Sequence, residues 1–185
     1  MPPRIVGFSG SFGSPSRTRA LVDLAVSRAA RRFGCAAASY GIADLQPSLG
    51  QAASADQLDA LPRAILDAML AADALVVGTP VYKGSFTGLF KHVIDLLDPG
   101  ALAGKPVLLT ATGGGDRHAL VIEHQLRPLF GFFEAASLPT GVYAGGADFR
   151  DGQPASDTLL ARLDRAVEQF APWLSQTQAA AISAA

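Results

Sequence analysis

Short apolar runs alternate with stretches of helical periodicity along most of the chain. Five of the runs have the length of a strand and are apolar on both faces, which is typical of parallel strands covered by helices on both sides. Between them, apolar residues recur at the spacing of one helix face, as Val22, Val26, Ala29 and Phe33 do. The predicted strands span 4–9, 35–42, 74–81, 105–112 and 137–144, and the predicted helices span 16–33, 55–72, 85–97, 116–134 and 156–174.

This alternation predicts an α/β fold, in which a doubly wound sheet of five parallel strands has helices on both faces. Five units fit the flavodoxin-like strand order 2-1-3-4-5 better than a six-stranded dinucleotide-binding fold. A chain of 185 residues is long enough to bury one good core. We therefore expect a single domain over residues 1–175, followed by an Ala-rich tail at 176–185.

Composition and charge limit the classes of partner. A net charge of −1 disfavours an extended nucleic-acid footprint or a basic membrane-binding patch. Charged residues make up 17% of the chain, below the usual value of about 25%, which indicates a surface that associates with other copies. Cys35 is the single cysteine, so neither an internal disulfide nor a thiolate metal cluster is expected. The start of the chain lacks a signal-peptide pattern, and we expect a cytoplasmic protein with no metal site.

Three loops follow the carboxyl ends of the first, third and fourth predicted strands, which meet at one edge of such a sheet. The first loop, in the stretch "GFSGSFGSPSRTRALV" at 7–22, combines hydroxyl groups, glycines, a helix N-terminus and Arg17. These features suit a phosphate monoester. Ser14 or Ser16 as a simple helix cap is the alternative, and the two interpretations are compatible. The spacing matches neither a Walker phosphate loop nor a serine nucleophile elbow.

The other two loops carry features suited to a flat ring. The second, "GTPVYKGSF" at 78–86, places a rigid proline and Tyr82 at a strand end, where they could hold a heterocycle. A plain turn with Tyr82 as a surface aromatic is the alternative. The third, "ATGGGDRH" at 111–118, has three glycines whose backbone a ring could approach closely.

Four segments together resemble the flavodoxin-like NAD(P)H-dependent FMN reductases, in particular the reductase components of two-component alkanesulfonate and methanesulfonate monooxygenase systems. The segments are "GSFGSPSRTRALV", "GTPVYKGSFTGLFKHVIDLL", "LAGKPVLLTATGGG" and "HALVIEHQLRPLF", in order within residues 4–145. The resemblance implies hydride transfer from NADH or NADPH to FMN, and supply of reduced flavin to a sulfonate or sulfone monooxygenase. It also implies a homotetramer or dimer. Because hydride passes directly between the two rings, no catalytic side chain is expected.

The same resemblance implies a set of flavin-binding residues. The first loop is expected to hold the phosphate, the second and third loops to line the isoalloxazine ring, and His118 to face the rim of the pocket. Phe12 and Gly13 stand where many relatives place an arginine, which predicts a loosely held phosphate, with Phe12 as a cover over the pocket. The set comprises Ser9, Ser11, Ser16, Arg17, Thr18, Pro80, Val81, Tyr82, Lys83, Thr112, Gly113, Gly114, Gly115 and His118.

Pro128 lies inside the predicted fourth helix. It has no N–H for the carbonyl of His124, and its ring crowds that carbonyl, so we expect a π-bulge near His124. Relatives in sulfonate systems resemble this segment and often carry an inserted aromatic at the matching position. Our hypothesis is that the bulge lies at a subunit interface near the flavin and eases FMN exchange. The alternative is a partly buried histidine beside a proline kink.

Two other functions stay open from the sequence. An FMN enzyme of the same fold could reduce quinones or azo dyes through the same exposed flavin. An electron-carrier flavodoxin is disfavoured by the weak net charge and by the "TPVYK" loop. The sequence does not choose between NADH and NADPH.

Overall fold

The computed structural model describes residues 2–175, so the predicted tail at 176–185 lies outside the described residues. A parallel sheet forms the centre of the molecule, in the order β2-β1-β3-β4-β5, with β6 also paired with β4. The flavodoxin-like order predicted from the sequence is confirmed. The strands are β1 (Arg4–Ser9), β2 (Ala36–Gly41), β3 (Ala74–Pro80), β4 (Pro106–Thr112), β5 (Ala136–Ser137) and β6 (Val142–Ala144).

The fifth position of the sheet is shared by two short strands, so the prediction of one strand over 137–144 is wrong. β5 pairs with the start of β4 and β6 pairs with its end. Pro139 lies between them and has no N–H to donate to a ladder. The guanidinium of Arg127 donates instead to the carbonyls of Leu138 and Pro139, at 3.0 and 3.3 Å.

Helices cover both faces of the sheet, and every residue of β3 and β4 is therefore buried. The first and fifth helices share one apolar cluster, and the other helices pack into the cluster on the opposite face. The helices are α1 (Arg17–Phe33), α2 (Ala60–Leu70), α3 (Gly88–Asp95), α4 (Arg127–Phe132) and α5 (Asp157–Glu168).

Several predicted helix bounds are wrong. The third helix spans Gly88–Asp95 and not 85–97, and the fifth ends at Glu168 and not at 174. The second helix begins at Ala60 and not at 55, because a 3₁₀ turn at Ala55–Gln57 and an extended Leu58 precede it. The predicted fourth helix over 116–134 is divided into a 3₁₀ turn at Asp116–His118, a π-helical segment at Ile122–Leu126, and α4. Pro128 therefore lies in the first turn of α4, where a missing N–H is tolerated.

A two-stranded hairpin not predicted from the sequence follows β6. It consists of β7 (Phe149–Arg150) and β8 (Gln153–Pro154), joined by Asp151 and Gly152. Both turn residues have positive φ, 50° and 77°, as type I′ hairpin turns require. The hairpin packs against α1. Within residues 2–175, no helix is long and apolar enough to cross a membrane.

Candidate functional site

The three loops predicted to bind a ligand line one cavity of about 390 Å³ at the carboxyl edge of the sheet. This volume falls within the range of roughly 300–1,000 Å³ that small-molecule sites occupy. The cavity brings together ten of the predicted residues from all three loops, and adds Gly13, Pro15 and Phe149. The ten are Ser11, Ser16, Arg17, Thr18, Pro80, Val81, Tyr82, Thr112, Gly113 and Gly114.

The other four predicted flavin-binding residues do not line this cavity. Ser9 is buried, and its hydroxyl accepts a hydrogen bond from the N–H of Ser11 at 3.4 Å. Lys83 is exposed at the tip of the second loop. The carbonyl of Gly115 accepts a hydrogen bond from the hydroxyl of Tyr143. His118 is half-buried in the 3₁₀ turn at Asp116–His118. Phe12, expected to cover the pocket, is 60% exposed and lines a neighbouring cavity on the other side of the first loop. Roles for these residues in flavin binding stay predictions.

The first loop ends in the N-terminus of α1. The Ser16 hydroxyl accepts a hydrogen bond from the N–H of Arg19 at 3.1 Å, which confirms that this serine caps the helix. The N–H groups of Arg17 and Thr18, in the first turn, have no helical partner. Both residues line the cavity, so capping and anion binding are compatible here.

A buried hydrogen bond joins the first loop to the third. The hydroxyls of Thr18 and Thr112 lie 2.7 Å apart, and these residues are 2% and 6% exposed. On its other side the loop is held by the N–H of Gly10, which donates to the carbonyl of Gly78 at 2.7 Å. The part of the cavity formed by the first loop is therefore fixed to the ends of β3 and β4.

The second loop is a tight turn that presents Tyr82. Tyr82 and Ser85 exchange backbone hydrogen bonds of 3.0 and 3.2 Å across Lys83 and Gly84, whose φ values are 54° and 87°. This is the pattern of a two-residue type I′ turn, and it leaves Tyr82 61% exposed beside the cavity. The Ser85 hydroxyl donates to the side-chain oxygen of Gln125 at 3.0 Å, which links the turn to the π-helical segment.

The third loop is shaped by Tyr143 of β6. The Tyr143 hydroxyl donates to the carbonyl of Gly115 at 2.6 Å. A Cβ at Gly113 would lie 2.3 Å from this hydroxyl, so a side chain there would displace the tyrosine from its hydrogen bond with Gly115. Burial raises the pKa of Tyr143, which further favours the protonated hydroxyl that donates this hydrogen bond.

Phe149 is a cavity residue that the sequence analysis missed. Its ring centroid lies 5.6 Å from the guanidinium carbon of Arg17. Phe149 lies after the four segments that resemble the FMN reductases. The pair Asp151-Gly152 is nevertheless a hairpin-turn signal that could have predicted the hairpin beginning at Phe149.

The two ends of the cavity differ in chemistry. Among the described residues that line it, Arg17 is the only charged one, and it lies with the hydroxyls of Ser11 and Ser16 at the helix N-terminus. The other end is formed by Val81, Tyr82 and the glycines of the third loop. A molecule with one phosphate and a flat ring fits this arrangement of donors and apolar surface.

The π-helical segment lies where Pro128 predicted a bulge. The N–H of Arg127 reaches back five residues to the carbonyl of Ile122, and Arg127 also forms a forked pair with Glu123 at 2.6 and 3.0 Å. The hydrogen bond from Arg127 lowers the pKa of Glu123. His124 is exposed, so the alternative of a partly buried histidine is wrong for this chain. The proposed place of the segment at a subunit interface stays a prediction.

Comparison with known proteins gives one family. A family model described as NADPH-dependent FMN reductase matches residues 3–149. The NADH-dependent FMN reductase SfnF of Pseudomonas fluorescens (strain Pf0-1) is 46% identical over 171 residues, which cover 92% of this chain and 91% of that protein. The FMN reductase (NADPH) of Pseudomonas aeruginosa is 44% identical over 171 residues, with 92% of each chain covered.

A solved structure agrees with these relatives. The apo form of the NADH:FMN oxidoreductase EMOB has a TM-score of 0.82 and 31% identity, over 91% of this chain and 88% of that chain. The family predicted from the four segments is confirmed, and the strand order, the three loops and the relatives agree with one another. The chain belongs to the NADPH-dependent FMN reductase family and is an NAD(P)H:FMN oxidoreductase, with FMN and a nicotinamide nucleotide as its cofactors.

Proposed function

We propose that this enzyme reduces FMN with NADH or NADPH and supplies the reduced flavin to a partner monooxygenase that acts on sulfonates or sulfones. The observation that supports the FMN site is the single cavity in which a helix N-terminus with Arg17 faces a wall of Val81, Tyr82 and glycine backbone. The resemblance of the loops to reductase components of sulfonate systems supports the partner.

In this proposal, the chain binds and orients the flavin. The hydroxyls of Ser11 and Ser16, the first N–H groups of α1 and Arg17 hold the phosphate. Val81, Tyr82 and the backbone of the third loop flank the ring. FMN, when bound, supplies the hydride acceptor, so the contribution of the protein is positioning and exclusion of side reactions.

FMN behaves as a substrate that leaves after reduction. One arginine among the described lining residues provides the charge for a phosphate dianion, and Phe12 and Gly13 at the tip of the first loop are exposed. Phosphate sites that hold their ligand tightly use several charged donors. A site with fewer of them releases its flavin more readily to a partner.

The partner copies of this chain are proposed to cover the surface around the π-helical segment. Leu120 precedes the segment and is 63% exposed, and Phe132 follows it and is 68% exposed. Exposed large apolar side chains at both ends of one segment suit contact with another copy of the chain. We propose a homotetramer or dimer, which light scattering during size-exclusion chromatography would measure. The cytoplasm, where nicotinamide nucleotides are available, is the proposed location.

Steady-state kinetics test the function. Oxidation of NADH and NADPH is measured while free FMN is varied, and the rate is expected to saturate with free FMN. Arg17→Ala should raise the KM for FMN with little change in kcat, because the phosphate contact is the same before and during hydride transfer. Arg31→Ala, at the other end of α1, is the matched control and should resemble the parent.

Two results would contradict this function. No FMN-dependent oxidation of either nicotinamide would exclude a flavin reductase. Ping-pong reduction of a quinone or azo dye, with FMN that stays bound, would favour the alternative reductase. Transfer to a monooxygenase is tested separately, by adding a sulfonate monooxygenase and measuring sulfite release.

A further inference from the structure

The β7–β8 hairpin brings an aromatic ring to the charged end of the cavity. Phe149, the first residue of the hairpin, lines the cavity and faces Arg17 across 5.6 Å, from ring centroid to guanidinium carbon. This distance is within the range of about 6 Å over which a cation interacts with an aromatic face. Arg17 and Phe149 come from opposite ends of the chain, so their contact is made only by the folded domain.

Hydrogen bonds to Asp148, the residue before Phe149, fix the position of Phe149. The Asp148 carboxylate accepts hydrogen bonds from the N–H of Gly145 at 2.8 Å and from the hydroxyl of Ser156 at 2.5 Å. Its carbonyl accepts from the N–H groups of Ala155 and Ser156, at 2.8 and 3.2 Å. Ser156 also caps α5. The base of the hairpin is therefore tied to a helix, and Phe149 is a fixed surface against which another side chain can be held.

The guanidinium of Arg17 contacts two parts of this segment. Besides the Phe149 ring, it lies near Gly146, where a Cβ would be 3.6 Å from Nη1. An arginine on an exposed helix surface samples many rotamers, and contact with the Phe149 ring restricts them. Because a phenyl ring has no acceptor oxygen, this contact leaves the guanidinium N–H groups available to an oxygen anion.

We propose that Phe149 is a positioning residue for the flavin phosphate: it holds Arg17 with its donors available to that phosphate, and so makes the cavity prefer FMN to riboflavin. The proposal rests on the function proposed above, in which this cavity binds FMN. Phe149 touches neither reacting atom, and its contribution goes through Arg17.

The expected effect is selective for the phosphorylated flavin. Cation–π contacts at exposed sites correspond to roughly two- to fivefold in affinity, and more when they are shielded from water. Phe149→Ala should therefore weaken FMN binding by about three- to tenfold. Riboflavin has the same ring and ribityl chain without the phosphate, so its affinity should change by less than about twofold.

The test is titration of FMN and of riboflavin by flavin fluorescence quenching, with the parent, Arg17→Ala, three variants of Phe149 and the double variant Arg17→Ala/Phe149→Ala. Phe149→Tyr keeps the ring face and should bind like the parent. Phe149→Leu keeps the apolar volume without the ring face and should behave like Phe149→Ala. The double variant should bind FMN no more weakly than Arg17→Ala alone, because Phe149 has no effect once Arg17 is absent.

Several outcomes would overturn the proposal. Equal losses for FMN and riboflavin in Phe149→Ala, or a Phe149→Leu variant that keeps the preference for FMN, would make Phe149 an ordinary wall residue. Additive losses in the double variant would show that it acts without Arg17. If Phe149→Ala does not fold, as judged by circular dichroism, the Leu and Tyr variants decide.

Failure of the proposed function gives a different result. A parent protein that binds neither flavin would contradict the FMN site itself. A parent that binds FMN and turns it over, but shows no preference over riboflavin, would overturn the role of Phe149 and leave the function in place.

Discussion

Replacing Thr18 by Val should destabilise the protein, because the buried hydroxyl of Thr112 loses its hydrogen-bond partner. Thr18 and Thr112 share a hydrogen bond of 2.7 Å, and the two residues are 2% and 6% exposed. Val has nearly the volume and the helix propensity of Thr, so the change removes the hydroxyl and little else. The hydroxyl of Thr112 then stays buried, without the partner it has in the parent.

The size of the effect follows from this asymmetry. A buried polar group that loses its partner costs about 1–3 kcal/mol, whereas replacing both partners by apolar groups of the same shape is nearly neutral. Thr18→Val and Thr112→Val should each lower the free energy of unfolding by about 1–3 kcal/mol. The double variant should be less destabilised than the sum of the two, and close to either single variant or better.

Urea denaturation without flavin measures this coupling. The free energy of unfolding falls with urea by about 2 kcal/mol/M, so a loss of about 2 kcal/mol lowers the urea concentration at the unfolding midpoint by about 1 M. The slope itself should stay constant across the variants. If the double variant loses the full sum of the single losses, the two hydroxyls are not coupled, and the reasoning from the 2.7 Å bond is refuted.

Three further changes test the third loop and the π-helical segment. Gly113→Ala places a Cβ 2.3 Å from the hydroxyl of Tyr143 and should lower the free energy of unfolding by about 1–3 kcal/mol, as measured by thermal unfolding. Gly114→Ala, whose Cβ would meet no described atom within 4 Å, is the control. Equal losses of stability in the two variants would contradict the argument. Arg127 lowers the pKa of Glu123 below its ordinary value of 4.5, so this pair stabilises the fold above pH 4.5 and its contribution is lost as the pH falls through the lowered pKa. Because both side chains are partly exposed, Glu123→Gln should lose less than about 1 kcal/mol at pH 7, and the difference from the parent should shrink as the pH falls below 4.5. A difference that does not change with pH would exclude this pair as its cause. Deleting His124 should convert the π-helical segment to α-helix and yield protein that retains FMN through purification, whereas a variant that purifies without FMN and turns over like the parent would disprove the exchange hypothesis.

The sequence was sufficient to predict the sheet and its three ligand loops, because buried parallel strands are apolar on both faces and their carboxyl ends must meet. It was also sufficient to place a backbone irregularity before Pro128, since a proline lacks the donor that a regular helix needs. It was insufficient for the last strand position. The run 137–144 is apolar enough for one strand, but Pro139 divides it, and the contacts from Arg127 that satisfy the break are visible only in three dimensions.

For the candidate site too, local patterns in the sequence predicted some residues and missed contacts between distant parts of the chain. Loop residues with a clear local role in the sequence, such as Ser16 and Tyr82, line the cavity. Ser9 and Gly115 belong to the same two loops but do not line this cavity, and their polar atoms form hydrogen bonds within the protein. Phe149 was missed because its contact with Arg17 joins residues far apart in the chain, although the Asp151-Gly152 turn signal could have predicted the hairpin that carries it.

The hairpin that carries Phe149 also sets when the cavity can form during synthesis. Arg17 leaves the ribosome early, while the segment that ties down Phe149 extends to Ser156. A nascent chain that already contains all three loops and the sheet up to β4 still lacks this wall. If Phe149 has the role proposed above, a nascent chain acquires its preference for FMN over riboflavin only after this hairpin has been synthesised and has packed beside Arg17.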